Sequence, residues 1–572
     1  MTEYRRGSGR SFWGRFGFVA PAVVAVLLAA CAAPQSAPAG GASAPSTGPT
    51  QASAQPKKGG YLRHMLPYSA TNLHPYFTDN PVATNFIQHA YYDSLFEIDY
   101  KGGVDWRVEN KIVPALAESW KQDDATTYTV SLRKGVTFHN GAGFDAADVV
   151  YSFGFMLGSD PQLNSTARQE LANLASVEKV DDFTVRLKAK RPDPDLLASL
   201  SQQIIAVVSK KFVDGGGDIA KEAVGTGPFK VAAYKKDAEA LFVRNENYWQ
   251  KDKPYLDGIK IQLAVETATQ GAAFAAGEAD VLTRLDKNVF GPILAANPKA
   301  QYEKYVTNTQ FAVWFNSTKA PFTDSRVRQA LHLAVDRQEL DKAVTFGEGV
   351  MAGPLVQPGK KGWEIPGEEL LKLPGYRTPK DQDIAQAKKL LADAGYAAGF
   401  KANLAFNQTY ASVPAFAEAL QQQFKKSLNI EVALVPWDNP TFFSKRPKAE
   451  FDMLLDLTGS ALDRPASTAG FYVHSNSPNS KAYGIKDAEV DQLIEKQAAE
   501  FDPAKRGAIF VQMQRLLLDK AFFFTVPQPT TYGLWQPWVY NWVGNKASRQ
   551  VVMNPTTIWM DVDQAPANRK SR

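Results

Sequence analysis

The sequence predicts an α/β protein whose globular part is divided into two or three packed lobes. Helical and strand patterns alternate along the chain from Tyr61 onward, and neither type is confined to one region. This part is about 510 residues long, which exceeds what one hydrophobic core usually supports. No internal repeat is visible.

Three helices and two strands can be identified from the spacing of apolar residues. Asp324 or Ser325 is placed to cap the first helix, and Gly395 to end the second. The helical stripes are Val327, Ala330, Leu331, Ala334 and Val335; Ile384, Ala387, Leu390 and Leu391; and Val490, Leu493 and Ile494. The alternating strands are Tyr128, Val130 and Leu132, and Phe183, Val185 and Leu187.

Residues 1–30 have the composition of an export signal. Four arginines lie among the first fifteen residues, and residues 16–30 are uncharged and rich in Val, Leu and Ala. The apolar run is about fifteen residues long, which is shorter than the roughly 20 residues that span a bilayer.

Cys31 is the single cysteine of the chain, and it directly follows Leu28, Ala29 and Ala30. This sequence resembles the lipobox of bacterial lipoproteins, in which the cysteine is acylated and becomes the mature N-terminus. The resemblance predicts a protein that is exported and lipid-anchored to a membrane. An ordinary signal peptide with a chance cysteine and an uncleaved anchor helix are the alternatives.

Residues 31–58 are predicted to form a disordered tether. After Cys31 this stretch contains no aromatic residue, no Leu, Ile or Val, and no acidic residue. Such a composition offers no apolar surface to offset the entropy cost of ordering. A flexible chain of this length reaches on the order of 30 Å.

The charge of the body argues against nucleic acid as a partner. The whole chain carries +5, of which the four arginines and one glutamate of residues 1–30 account for most, so the remainder is near neutral. After residue 31 no uncharged apolar run is long enough to span a bilayer. The body must also be stable without disulfides.

A series of sequence blocks resembles the family 5 extracellular solute-binding proteins of ABC transporters, which include oligopeptide-, dipeptide- and nickel-binding proteins. The blocks follow the family order and span about residues 59–560. They are LAESW (116–120), LRKGVTFHNG (132–141), the 144–153 segment, VGTGPF (224–229), RNENYW (244–249), KPYLD (253–257), FN (315–316), PF (321–322), RVRQAL (326–331), AVDR (334–337), ADAGY (392–396) and Asp491 with Leu493 and Ile494.

The resemblance implies a periplasmic-binding-protein-like fold with two α/β lobes, a hinge and an extra inserted domain. Lobe I is expected from residues 59–100, 222–308 and 532–572. The inserted domain is expected at 101–221, and lobe II at 309–531. The glycine-rich 225–228 segment is interpreted as a tight interlobe turn rather than a phosphate loop, because it ends in Pro228 and no Lys-Ser/Thr pair follows.

The sequence nominates no catalytic centre, metal site or cofactor. It contains no Gly-x-Ser-x-Gly motif, and its six histidines lack metal-ligand spacing. His139 and His332 lie in or beside predicted structural elements. The paired acids at 123–124 and 181–182 adjoin strand starts, where solvated turns are expected.

Candidate ligand-binding residues are therefore sought in loops that would line a cleft. In peptide-binding relatives, a carboxylate in a Trp-x-x-Asp-x-Pro-Asp-Pro-like stretch binds the ligand amine, and Asp463 occupies the similar position here. The expected Trp is absent and Arg464 follows, so a surface Asp–Arg turn is the alternative. The other candidates are Tyr68, Asn72, Leu73, Phe406, Gln408, Tyr410, Trp437 and Gly459.

These features predict a monomeric, extracytoplasmic substrate-binding lipoprotein of an ABC importer, with no enzymatic activity. It would capture a peptide or similar small solute between its lobes and deliver it to the permease subunits. A nickel chelate, an oligosaccharide and an opine-like compound remain open as ligands. The alternatives in other classes are an exported hydrolase and a surface or sensor protein without transport.

Overall fold

The structure is a computed structural model with three main β-sheets and helices between the strands. It describes residues 55–66, 72–76, 87–99, 111–160, 163, 165–263, 265–306, 309–356, 359–410, 412–459, 465–542 and 554–570.

The described helices are mostly amphipathic connections between strands. They are α1 (Ala146–Leu157), α2 (Ser165–Glu170), α3 (Leu196–Leu200), α4 (Lys210–Asp214), α5 (Thr267–Ala275), α6 (Lys287–Ala296), α7 (Ser325–Ala334), α8 (Arg337–Val344), α9 (Gly367–Leu370), α10 (Asp381–Asp393), α11 (Val413–Leu428), α12 (Asn439–Lys445), α13 (Pro465–Tyr472), α14 (Pro478–Tyr483), α15 (Ala488–Ala499) and α16 (Pro503–Lys520).

The described strands fall into three larger sheets and two small ribbons. They are β1 (Tyr61–Met65), β2 (Phe96–Ile98), β3 (Ile112–Pro114), β4 (Ala117–Gln122), β5 (Thr127–Leu132), β6 (Leu174–Asp181), β7 (Thr184–Ala189), β8 (Phe229–Lys235), β9 (Glu239–Arg244), β10 (Gly258–Gln262), β11 (Val281–Leu285), β12 (Gln301–Tyr305), β13 (Gln310–Phe315), β14 (Lys401–Asn407), β15 (Glu431–Trp437), β16 (Met453–Thr458), β17 (Phe523–Thr525), β18 (Thr531–Trp535), β19 (Val539–Tyr540) and β20 (Trp559–Met560).

The elements identified from apolar spacing are confirmed. The stripe of α7 is buried from Val327 to Ala334, and the carboxylate of Asp324 accepts a hydrogen bond from the Arg326 N–H at 2.8 Å. Helix α10 ends just before Gly395, whose φ of +87° is the left-handed conformation common after helices. Strand β5 alternates between half-buried and buried residues along its length.

The largest sheet combines distant parts of the chain in the order β12-β18-β11-β1-β10-β9-β8. Strands β10 and β11 both run parallel to β1. Strand β18 enters the sheet from the C-terminal part of the chain, between β11 and β12. The segment that contains β18 thus packs with strands from the first part of the chain.

A five-stranded sheet has the order β15-β14-β16-β13-β17. Strands β15 and β16 run parallel to β14, and β13 runs antiparallel to β16. One face packs against α7 and α11, and the other packs against α13 to α16, so a hydrophobic cluster lies on each side of the sheet.

A four-stranded antiparallel sheet, β4-β5-β7-β6, shares one continuous hydrophobic cluster with the seven-stranded sheet. We call residues 55–305 and 531–570 the first body and residues 309–526 the second body. The exact lobe and inserted-domain boundaries given above stay a prediction.

The glycine-rich turn and the Asn-Glu-Asn-Tyr-Trp block meet at one half-buried carboxylate, Asp93. It accepts hydrogen bonds from the Thr226 hydroxyl at 2.9 Å, the Trp249 indole at 2.9 Å and the Tyr248 hydroxyl at 3.3 Å. Burial raises the pKa of Asp93, and these three donors oppose that shift. The turn therefore has a structural role, as its sequence indicated.

Across the described part of the chain, every helix is too short or too polar to cross a membrane.

Candidate ligand-binding site

Three predicted loops of the second body meet at one edge of the five-stranded sheet. Strands β14, β15 and β16 are parallel, with Asn407 paired to Trp437 and Phe406 paired to Leu455. Their carboxyl ends therefore share an edge, where ligands of open α/β sheets commonly bind. Gln408, Trp437 and Gly459, which come from separate parts of the sequence, all lie at this edge.

The loops after β14 and β15 are tied to each other by hydrogen bonds. The Gln408 N–H donates to the Trp437 carbonyl at 3.0 Å. The Asn407 side-chain amide donates to Asn439 Oδ1 at 2.7 Å, and Asn407 Oδ1 accepts from the Thr409 N–H at 3.0 Å. This part of the edge is thus held in place before any ligand binds.

The predicted aromatic residues at this edge differ in exposure. Phe406 is 4% exposed and packs in the cluster with α7 and α11, while Trp437 is 5% exposed and packs edge-on to Phe442 on the other face. Tyr410 is half-buried against the α7–α11 cluster, and Gln408 is exposed. A ligand role for Phe406, Trp437 and Tyr410 stays a prediction, since each already packs in the protein.

Polar groups flank this aromatic edge. The carboxylate of Asp438 caps α12 by accepting from the Thr441 N–H at 2.9 Å, and hydrogen bonds from Thr441 lower its pKa. Gly459, half-buried, directly follows β16, whose last residue Thr458 accepts from the Trp314 indole at 3.2 Å. Asp463 and Arg464 lie outside the described residues.

The first body presents the matching edge of the seven-stranded sheet, where β1, β10 and β11 end. Asn72 and Leu73 follow β1. Asn72 Oδ1 accepts from the His74 N–H at 2.9 Å, and Leu73 is 3% exposed in the main core. Asn72 therefore shapes a turn, and Leu73 packs inside. Tyr68 and Cys31 lie outside the described residues.

The structure adds Arg284 and Asp286 to this edge, which the sequence had not suggested. The pairing of β11 with β18 is irregular between Leu282 and Leu285, and Arg284 has a φ of +59° there. Asp286 follows, and burial raises the pKa of its carboxyl, opposed by the nearby Arg284 charge. Only the pairing with β18 creates this bulge, so no local sequence signal could reveal it.

Two short connections join the carboxyl edges of the two sheets. Residues 306–309 run from β12 to β13, and residues 526–530 run from β17 to β18. A five-residue connection spans at most roughly 18 Å, so the two edges lie near each other. The loops of both bodies therefore lie on the side of the molecule where these connections cross.

One carboxylate links the bodies beside the connections. Glu348 of the second body contacts Lys287 at 2.7 Å, Lys304 at 3.2 Å and the Tyr532 hydroxyl in the first body. Burial alone would raise the pKa of Glu348, but the hydrogen bonds from these partners outweigh it and lower the pKa.

The described residues of this region include no cluster of His, Cys, Asp and Glu that could hold a metal ion. The carboxyl edges of the two sheets, which these connections join, are where open α/β folds commonly bind small solutes.

The fold is that of the substrate-binding proteins. The chain is similar to the periplasmic binding protein DppA from Helicobacter pylori in complex with the peptide STSA, with a TM-score of 0.73, 23% identity, and coverage of 88% of this chain and 99% of that one. It is also similar to the Escherichia coli murein tripeptide binding protein MppA, with a TM-score of 0.73, 21% identity, and coverage of 88% and 98%.

Residues 111–480 match the family model of the bacterial extracellular solute-binding proteins, family 5. The chain therefore belongs to this family, whose members bind solutes for ABC importers outside the cytoplasm. Heme-binding protein A of Haemophilus influenzae is 30% identical over 79% of this chain and 84% of that protein. Di/tripeptide-binding protein 1 of Pseudomonas aeruginosa is 27% identical over 74% and 81%.

Proposed function

We propose that this chain captures a short peptide between its two bodies and delivers it to an ABC permease without transforming it. The observation that carries the proposal is the position of the loops. Gln408, Trp437 and Gly459 lie at the carboxyl edge of the five-stranded sheet, and two connections join this edge to the carboxyl edge of the seven-stranded sheet. A rotation about two adjacent connections would close the edges over a solute.

The relatives support a peptide as the ligand class. Three of them are described as binding a di- or tripeptide, a murein tripeptide and glutathione, which is itself a tripeptide derivative. The relative described as a heme-binding protein makes heme the competing ligand. Nickel chelates, oligosaccharides and opine-like compounds share this scaffold and remain further outcomes of a ligand test.

Mass spectrometry of the solute that co-purifies with the protein tests this proposal. Peptides of two to five residues that are released on denaturation support it. If heme, a metal chelate or a sugar is released instead, that compound is the ligand and the peptide is not, while the proposed transport role still holds. Turnover of an added peptide or ester by the pure protein would favour the exported hydrolase instead.

Asp463 is proposed to bind the α-amine of the peptide. A buried ammonium needs a charged acceptor, so removing the negative charge removes a charge-assisted hydrogen bond. We expect Asp463→Asn to raise the Kd for a dipeptide such as Met-Leu more than about tenfold, as measured by isothermal titration calorimetry.

Asp519→Asn is the matched control, because Asp519 is an exposed aspartate on α16. It should leave the Kd unchanged. An unchanged Kd in Asp463→Asn would remove Asp463 from the site.

Lipid anchoring through Cys31 is proposed as well. It would hold the protein at the outer face of a membrane near its permease. The resemblance of residues 28–31 to a lipobox supports this, and so does the tether-like composition that follows.

A further inference from the structure

The two bodies also meet through an arginine–aspartate pair that involves neither Glu348 nor the two connections. Arg506 belongs to α16 of the second body. Its two terminal nitrogens donate to the two carboxylate oxygens of Asp195, at 3.0 Å and 2.6 Å. This is the bidentate geometry that makes such pairs strong and directional.

The pair joins two separate hydrophobic cores. Asp195 directly precedes α3, whose Leu196 and Leu200 pack in the main cluster of the first body. Helix α16 packs through Ile509 and Phe510 in the cluster under the five-stranded sheet of the second body. The pair is therefore a contact between bodies and not an internal bond of either one.

Asp195 does not make the helix-capping hydrogen bond that is usual at its position. It occupies the N-cap position of α3, where an aspartate usually accepts a hydrogen bond from the first turn. Its side chain makes no such bond there. The carboxylate is instead committed to the guanidinium of the other body.

The side chain of Arg506 is packed against other residues of the second body. Its side chain is 5% exposed, and its guanidinium carbon lies 5.1 Å from the centre of the Trp363 ring. Helix α16 lies so close to the 362–363 segment that a Cβ at Gly507 would come within 2.1 Å of the Gly362 carbonyl oxygen. Contacts within the second body thus help to position the arginine.

We propose that Arg506 and Asp195 form a closure latch, which stabilises the arrangement in which the two bodies touch and so raises affinity for the captured solute. Asp195 and Arg506 lie on different bodies and outside the 306–309 and 526–530 connections, so a rotation that moves the bodies apart must break the pair. Glu348 also makes ion pairs between the bodies, and these lie beside the connections. The latch rests on the proposed hinge closure, but its test needs no ligand.

Distance measurements between the bodies test the latch. The full chain carrying Cys31→Ala is free of native cysteine. Spin labels are placed at Glu118→Cys and Lys426→Cys, which are exposed positions on β4 and α11. Double electron–electron resonance then gives the ratio of short to long distances. We expect Asp195→Asn and Arg506→Ala to lower this ratio roughly fivefold, the effect of losing about 1 kcal/mol.

Arg515→Ala is the matched control. Arg515 lies on the same helix and pairs with Glu369, which also belongs to the second body. Arg515→Ala should leave the distances unchanged. The double variant Asp195→Arg with Arg506→Asp, which reverses the pair, should restore part of the wild-type ratio. Identical distances in Asp195→Asn and wild type, or an equal shift in Arg515→Ala, would overturn the latch. If no bound solute is found, the proposed function is weakened but the latch is not, because the distance measurement needs no ligand.

Discussion

At the scale of single residues, buried charged and titratable groups bind the distant segments of the first body together. Asp280, directly before β11, and Arg569 near the C-terminus are both fully buried, with 2.8 Å between Asp280 Oδ1 and Arg569 Nε. The Arg63 N–H and the Trp538 indole also donate to Asp280. Removing one member of a buried pair leaves the other charge uncompensated, so these contacts fix the C-terminal segment in place.

Buried His64 predicts acid sensitivity. It is 1% exposed on β1, lies edge-on to Trp542, and burial lowers its pKa to about 3. In the unfolded chain the His64 imidazole binds a proton near pH 6.5, whereas in the folded protein it does so only near pH 3. The stability that the neutral imidazole contributes is therefore fully present above pH 6.5 and is lost as the pH falls toward 3.

Relative to His64→Gln, the wild type should lose about 1.4 kcal/mol of unfolding free energy per pH unit between pH 6 and pH 4. Urea unfolding of both proteins across this range measures the difference between them. Glu97 has the opposite effect on stability in this range, because burial raises its pKa to about 8. Both proteins contain Glu97, so its contribution cancels in the comparison. Parallel stability curves for the two proteins would contradict the prediction.

At the scale of elements, the helices and strands with clear apolar spacing followed from the sequence. The buried stripe of α7 and the alternation of β5 were both predicted correctly, because one face of each meets a core. The bulge at Arg284 was not predicted, because it depends on the register between β11 and β18, a strand about 250 residues later.

Gly225 shows how tightly the family turn is packed. A Cβ at this position would lie 1.8 Å from the Tyr91 carbonyl oxygen. Gly225→Ala should therefore displace the turn from Asp93 and lower the unfolding free energy by about 1–3 kcal/mol or more, measured by chemical denaturation. Gly143→Ala is the control, since no atom lies within 4 Å of its Cβ position. Equal stability of both variants would show that the close approach is unimportant.

At the scale of the whole molecule, the chain enters the first body far from the candidate site. Lys57 pairs with Asp561 at 2.6 Å, and the Gly59 N–H donates to the Tyr255 carbonyl at 2.8 Å, both just before β1 begins. This is the amino end of β1, at the edge opposite the candidate loops. The proposed tether therefore leaves the edge with the candidate loops free.

The anchor proposal makes a prediction about the location of the protein. Cys31→Ala removes the thiol that a lipid would modify, so the protein should leave the membrane fraction while its solute still co-purifies. Fractionation with immunoblotting measures this, and Ser36→Ala in the same segment should leave the location unchanged. Retention of Cys31→Ala on the membrane would contradict lipid anchoring and favour an uncleaved anchor helix.

The sequence by itself determined the α/β class, the family and the solute-binding role, because apolar spacing and the ordered blocks depend on neighbouring residues. It also pointed to loops after three strands, of which Gln408, Trp437 and Gly459 meet at one edge. It did not show which candidates are packed inside, because the burial of Leu73 and Phe406 depends on partners from distant segments.

Only the tertiary structure decided how the two bodies meet. Asp195 and Arg506 are separated by about 300 residues, and each lies in ordinary-looking sequence. Their pairing depends on the path of two short connections and on the packing of two separate cores. Contacts of this kind are set by three-dimensional geometry, and no pattern of neighbouring residues encodes them.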